Sequence, residues 1–289
     1  ALYTATFDSR SVENFSRCVL EERANESILS GYLGNSTRAI RTRREVWLTN
    51  AWESIKANEK VMEGIRVADA TITCSEWVAN SLRRNLSRDV SVIYHGVDFE
   101  DWENPLEPKE YVLWNKTRPD PVCDPVPMNQ LAAMLPNVRF VSTFGADYPN
   151  IAKTGKLPYE DAKKLVMQAG VYLCTTRETF GIGTLEALAC GVPIVGFDYG
   201  GQSEFIEHKV DGWLAKPGDI QSLADGVIWA FSNRKEISEK AKEKARAFTW
   251  DKAAEQYARI FRDTHRKKQE QSPRTSIIVT NYQLHEYLN

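Results

Sequence analysis

Between Gly170 and Phe197 the chain spells out an apolar run, a glycine-bearing loop, a short helical pattern and a second apolar run. Val171-Tyr172-Leu173-Cys174-Thr175 and Pro193-Ile194-Val195-Gly196-Phe197 are the two runs. Runs of that length with no polar alternation read as strands buried on both faces, which is the condition of strands in a parallel sheet covered by helices. Similar strand and helix patterns alternate along much of the chain, so the expected class is α/β, with helices on both faces of parallel sheets.

The loop between the two runs carries Gly181 and Gly183 directly ahead of Thr184-Leu185-Glu186-Ala187-Leu188-Ala189. Small residues there let a ligand approach the free amides of a helix N-terminus, an arrangement that suits an anion. Glu178 lies in the loop and Glu186 in the first turns of the helix. Both can edge one crevice at the C-terminal ends of parallel strands, where open α/β sheets bind ligands. Taken singly, each glutamate has a plainer reading. Glu186 complements a helix dipole, worth about 0.3–1 kcal/mol, and Glu178 is a solvated loop residue.

Taken together, the two glutamates are separated by seven residues and embedded in a fuller pattern. Glu178-Thr179-Phe180-Gly181 precedes Glu186-Ala187, Ala189-Cys190-Gly191-Val192-Pro193-Ile194-Val195 follows, and Gly200-Gly201 and Glu204 come next. This stretch resembles the Glu-x7-Glu motif of retaining, nucleotide-sugar-dependent glycosyltransferases of the GT-B fold, family 4. The resemblance extends from about Ala68 to Lys267. It implies GT-B architecture, two Rossmann-like parallel-sheet domains facing a cleft, with the N-terminal one short or incomplete.

It also implies roles for individual residues. The donor's diphosphate would rest on the backbone around Phe180, Gly181, Ile182, Gly183 and Thr184. Lys116 falls where the family has an arginine, and with Arg118 it would oppose the diphosphate charge. A lysine is a point charge where an arginine is a fork, so the two are not equivalent. The backbone near Lys156 and Leu157 would face the base, Glu186 would hold the ribose diol, and Glu178 would be the catalytic carboxylate that orients the sugar. The expected substrates are a UDP-, GDP- or ADP-sugar and a saccharide or lipid-linked acceptor. No metal and no further cofactor are expected, because the cations and helix dipole offset the leaving diphosphate.

Composition excludes some other classes. The 289 residues carry 37 basic and 39 acidic side chains for a net charge of -2, so nothing calls for nucleic acid as a partner. No apolar run approaches the roughly 18 residues of a membrane span, and no leader pattern is read. Cys18, Cys74, Cys123, Cys174 and Cys190 are scattered and read as reduced thiols, which with the rest points to the cytoplasm. No Cys or His spacing reads as a metal site.

In chain order, residues 1–103 are expected to form the short or partial acceptor-side domain. They include helical patterns over Ser11–Glu22 and Arg44–Val67, a strand from Ala68 to Cys74, and Ser75 as N-cap of a helix to about Leu86. Val90-Ser91-Val92-Ile93-Tyr94 is the next strand, ending in His95 where the family has asparagine. Residues 104–250 are expected to be the donor-binding domain, residues 251–271 a helix crossing back, and residues 272–289 a tail. Thr275–Tyr282 resembles the opening strand of a GT-A glycosyltransferase of family 2, which would make a fused second transferase domain a partner. The alternative is a short strand added to this chain's own sheet. The front part is about half the length usual in the family and lacks its Gly-rich loop. Two other functions therefore stay open: a non-catalytic nucleotide-sugar-binding module of a larger transferase, and a GT-B epimerase or phosphorylase.

Overall fold

The computed structural model describes residues 64–86, 89–103, 106–116, 123–269 and 277–279. The helix read over Ser11–Glu22, most of that over Arg44–Val67, and Arg118 lie outside the described residues. By internal packing the chain divides into two units. One comprises the chain up to Thr73, Ala79–Ser91 and the chain from Phe261 onward; the other comprises Cys74–Val78 and Val92–Ile260.

The first unit holds a small sheet. Its strands are Ala70–Thr73 (β1), Ser91–Val92 (β2) and Ile277–Val279 (β9), in the order β2-β1-β9. β9 runs parallel to β1, with Ala70 opposite Ile277 and Ile72 opposite Val279. The tail strand thus adds to this chain's own sheet, the arrangement that the second reading of Thr275–Tyr282 describes. A helix over Glu76–Leu86 (α1) follows β1; its first turn, to Val78, falls in the second unit, where Ser75 Oγ accepts from the Val78 N–H at 3.2 Å as its cap.

The second unit is built on six parallel strands. These are Val112–Trp114 (β3), Phe140–Ser142 (β4), Ile151–Lys153 (β5), Val171–Cys174 (β6), Ile194–Phe197 (β7) and Gly212–Ala215 (β8), in the order β5-β4-β3-β6-β7-β8. The chain order reverses between β3 and β6, which is the switch point of a doubly wound sheet. Helices cross between the strands: Phe99–Trp102 (α2) ahead of β3, Val126–Met134 (α3), Tyr159–Met167 (α4), Ile182–Ala189 (α5), Ile220–Ser232 (α6), Arg234–Ala245 (α7) and Trp250–Gln269 (α8).

Successive strand residues point to opposite faces, and both faces are covered. Val112, Trp114, Val171, Leu173, Val195 and Phe197 pack with Leu131, Leu223 and Val227 from α3 and α6. Leu113, Tyr172, Cys174 and Ile194 pack on the other face with Val166, Leu185 and Leu188 from α4 and α5. This two-sided burial is why the strands read as continuous apolar runs. Each large side chain buried there contributes about 1.5–3 kcal/mol.

Candidate functional site

Two loops leave the sheet at the switch point, one from β3 and one from β6, and each delivers a charge. Lys116 follows β3 after Asn115, and Glu178 stands on the loop after β6. Lys116 Nζ lies 2.9 Å from Glu178 Oε1. The lysine side chain is 8% exposed and the glutamate 39%, so the carboxylate is the outer member of the pair. The Thr143 hydroxyl at the end of β4 accepts from the Lys116 N–H at 2.6 Å and lies 2.7 Å from the Lys116 carbonyl. The backbone under the ammonium is therefore anchored to the neighbouring strand.

The β6 loop then turns into α5. Gly181 takes φ 98°, a left-handed conformation, and a Cβ there would come within 2.8 Å of Gln202 Cβ. Its carbonyl accepts from the Thr184 and Leu185 amides at 3.0 and 3.1 Å. The Ile182 and Gly183 amides have no bonding partner among the described residues, and they point out of the helix end as an anion site requires. Gly183 is small for a packing reason, since a Cβ there would lie 2.8 Å from the Tyr172 hydroxyl. Tyr172 is fully buried, and burial followed by the charges of Glu186 and Glu178 raises its pKa.

Glu186 lies farther along α5 and is half-buried. Burial, with a further push from Asp101, raises its carboxyl from 4.5 to about 7, while Lys163 pulls the other way. Lys163 on α4 pairs with Asp101 on α2 at 2.5 Å. The two glutamates thus share a functional group but differ in setting: Glu178 meets a cation, and Glu186 sits half-buried with Asp101 and Lys163 acting on it in opposite directions.

Other residues singled out from the sequence have different positions. Phe180 is buried, with its ring edge-on to His95 at 4.8 Å and 5.1 Å from Phe205, so it offers only backbone to the loop surface. Burial lowers the His95 pKa to about 4, which keeps the ring neutral. The Thr184 hydroxyl contacts the Cys174 thiol below the helix. Lys156 is exposed and Leu157 half-buried on the loop between β5 and α4, and no bond among the described residues joins either to Lys116 or Glu178. Tyr159, next along, lies in the field of Glu186.

Two residues near the site carried no assigned role: Gln202, and Glu204, which stands in the sequence pattern after Gly200-Gly201. The Glu204 carboxylate accepts from the Glu76 and Trp77 amides at 2.9 and 2.6 Å and from the Tyr94 hydroxyl at 3.0 Å, while Ser75 Oγ donates to the Thr179 carbonyl at 2.6 Å. Gln202, wholly buried, bonds to the backbone on both sides of Arg177. The available signal was a polar residue following Gly200-Gly201, in a segment that must come close to another backbone. Among the described residues, no group of three or more His, Cys, Asp or Glu side chains is placed to hold a metal ion, and no helix is long and apolar enough to cross a membrane. An open groove of about 400 Å³ near Pro136, Arg139 and Pro149 lies at the N-terminal ends of β4 and β5, the opposite end from the charged pair.

The strand order and the parallel sheets define a GT-B-type fold. A solved structure of Anabaena Alr3699/HepE in complex with UDP-glucose matches with a TM-score of 0.60 at 21% identity, over 68% of this chain and 64% of that one. More narrowly, residues 149–248, which include both glutamates, match the family described as Glycosyl transferases group 1. The chain is 35% identical over 109 residues to N-acetyl-alpha-D-glucosaminyl L-malate synthase of Bacillus anthracis, covering 36% of this chain and 29% of that protein. It is 25% identical over 231 residues to an uncharacterized glycosyltransferase of Methanocaldococcus jannaschii, covering 67% of this chain and 58% of that protein. The chain therefore spans less than two thirds of the length of these relatives.

Proposed function

We propose that this chain transfers a sugar from a nucleoside-diphosphate sugar to an acceptor with retention of anomeric configuration and without a metal. The observation that carries the reading is the Lys116–Glu178 pair at the switch point, together with the Ile182 and Gly183 amides that open the helix after the Glu178 loop. A cation and a helix end set next to a carboxylate suit a ligand with a diphosphate at one end and hydroxyls at the other. Lys116, with Arg118, opposes the diphosphate; Glu186 accepts from the ribose diol; Glu178 orients the sugar. The loop at Lys156 and Leu157 faces the base.

In the reaction, the bond between the anomeric carbon and the diphosphate oxygen breaks, and the electron pair leaves with the diphosphate. A bond from the anomeric carbon to an acceptor oxygen forms on the same face, and the acceptor proton passes to the departing diphosphate or to solvent. The nucleoside diphosphate is released. Lys116 and the helix end lower the barrier by meeting charge as it gathers on the leaving oxygen. The work of Glu178 is to fix the angle of attack.

Support for the donor class comes from the relatives. One relative is named as an N-acetyl-alpha-D-glucosaminyl L-malate synthase and another as a glycosyltransferase, and the HepE structure holds UDP-glucose. The acceptor in this reading is a saccharide or a lipid-linked saccharide, and the setting is the cytoplasm. Thermal-shift screening against UDP-, GDP- and ADP-sugars is the test, because a ligand that binds only the folded chain raises its melting temperature. A rise with one base class and not the others is expected, followed by transfer or slow hydrolysis of that donor. No shift with any of the three would sink the reading. Binding without turnover would point to a nucleotide-sugar-binding module, and release of an epimerised sugar to an epimerase.

A further inference from the structure

We infer that Gln202 is a positioning residue for Glu178, its side-chain amide accepting from the Glu178 N–H and donating to the Thr176 carbonyl so that the Glu178 carboxylate meets the sugar end of the donor. The inference rests on the donor-site reading above. Glu178 belongs to no strand or helix, so no ladder or helical bond holds it. The turn after β7 supplies what is missing. Gln202 Oε1 accepts from the Glu178 N–H at 3.2 Å, and the Gly201 N–H donates to the Glu178 carbonyl at 2.9 Å. Gln202 Nε2 donates to the Thr176 carbonyl at 2.6 Å, so one side-chain amide spans Thr176 to Glu178. Both backbone groups of Glu178 therefore end on a single turn.

That turn can come so near only because two residues lack a Cβ. One at Gly200, where φ is 81°, would lie 2.7 Å from the Glu178 carbonyl oxygen, and one at Gly201 would lie 2.1 Å from that of Thr179. Gln202 Cβ also faces Gly181, so the same residue touches the far end of the loop where α5 begins. The carboxylate itself is held from another direction, by Lys116. Backbone and side chain of Glu178 thus have independent anchors, and displacement of either misaims the carboxylate. A shift of about 1 Å in a reacting group costs on the order of a hundredfold in rate.

An apolar residue of the same size would fill the space and leave the Glu178 N–H and the Thr176 carbonyl unbonded. Gln202→Met and Gln202→Glu in the full chain make the test. Hydrogen exchange should show the Glu178 amide exchanging faster in Gln202→Met, while β3 and β4 stay as protected as in the wild type. Gln202→Glu should match the wild type at low pH, where a protonated carboxyl both donates and accepts. At high pH it should lie between the wild type and Gln202→Met, since the carboxylate still accepts from the Glu178 N–H but cannot donate to the Thr176 carbonyl, each comparison made at equal pH. A residue that merely fills space would show no such pH-dependent rescue.

Calorimetry with UDP, GDP and ADP, each paired with UDP-glucose, GDP-mannose or ADP-glucose, gives the second arm. For the pair that binds, Gln202→Met should hold affinity for the free diphosphate within about twofold. It should weaken the intact sugar nucleotide or slow its turnover by roughly tenfold or more. Unchanged exchange at Glu178 overturns the inference, and so does equal loss of both ligands. If the wild-type chain binds no member of any pair, the donor-site reading falls and takes the purpose assigned to Gln202 with it. The exchange data would still decide whether Gln202 braces Glu178.

Discussion

At the scale of residues, the two glutamates are separated by what surrounds them. Glu186 is assigned to hydroxyls that do not react, so Glu186→Ala should weaken the free nucleoside diphosphate and the sugar nucleotide alike, by about 1.5–3 kcal/mol. Glu178→Gln leaves Lys116 facing a neutral partner. Its affinity for the free diphosphate should therefore hold or tighten, while the intact donor binds less well or turns over more slowly. Calorimetry with both ligands on both variants checks this, and equal damage to diphosphate binding by the two would refute the division of roles. The Glu186 corner adds a pH dependence. Its carboxyl titrates near 7 in the folded chain against an ordinary value of 4.5, pushed up by burial and Asp101 and restrained by Lys163, with Tyr159, Tyr172 and Cys190 also in its field. Between those pH values the folded chain binds more protons than the unfolded one, so this group's contribution to stability falls as pH rises through the window. The cost is absent below about 4.5 and complete above about 7. Binding runs the other way, since the ribose diol is held by the ionised form, and diphosphate affinity should grow from pH 6 to 8. Glu186→Gln should flatten both trends in melts and titrations; persistence of either slope in the variant would assign it to another group.

At the scale of elements, short ties between loops hold what the strands begin. Glu204 receives two amides at the start of α1 together with the Tyr94 hydroxyl, so Glu204→Ala should cost about 0.5–2 kcal/mol, as loss of a helix cap does. Chemical denaturation reads that loss, and a variant as stable as the wild type would show that water replaces the carboxylate. How much of this was legible in the sequence follows from the forces involved. β6 and β7 were legible because burial on both faces makes each a continuous apolar run, and α5 because glycine and alanine mark its ends. β5 was not read: Ile151 is buried but Ala152 and Lys153 face solvent, so this edge strand has no apolar run to show. The Glu178 loop was legible through its glycines and its spacing. Its partners were harder to see. Lys116 could be placed only through resemblance, and the contacts of Gln202 and Glu204 are made across the fold, which local patterning does not encode, although Glu204 itself stands in the pattern after Gly200-Gly201.

At the scale of the whole molecule, the order of the larger sheet carries the candidate site, and the small sheet joins strands far apart in sequence. Removing residues 275–289 takes away β9 and leaves one edge of β1 without its ladder. The melting temperature should drop by a few degrees, since about 1 kcal/mol corresponds to roughly 2–4 °C for domains of 150–250 residues. An unchanged melting temperature would mean that β9 contributes nothing to this sheet and would restore weight to a separate domain opening at the tail. The β1–β9 pairing also has a kinetic side. Its partners, Ala70 and Ile277, are roughly two hundred residues apart, and all six strands of the larger sheet lie between them. Closing so long a loop carries an entropic cost that falls once the intervening chain is already compact. The larger sheet should therefore gain protection first. Pulse-labelling hydrogen exchange during refolding would reveal the order: protection of Thr71 and Ile72 should lag that of Leu113 and Leu173, and simultaneous protection would make the two sheets a single cooperative folding unit.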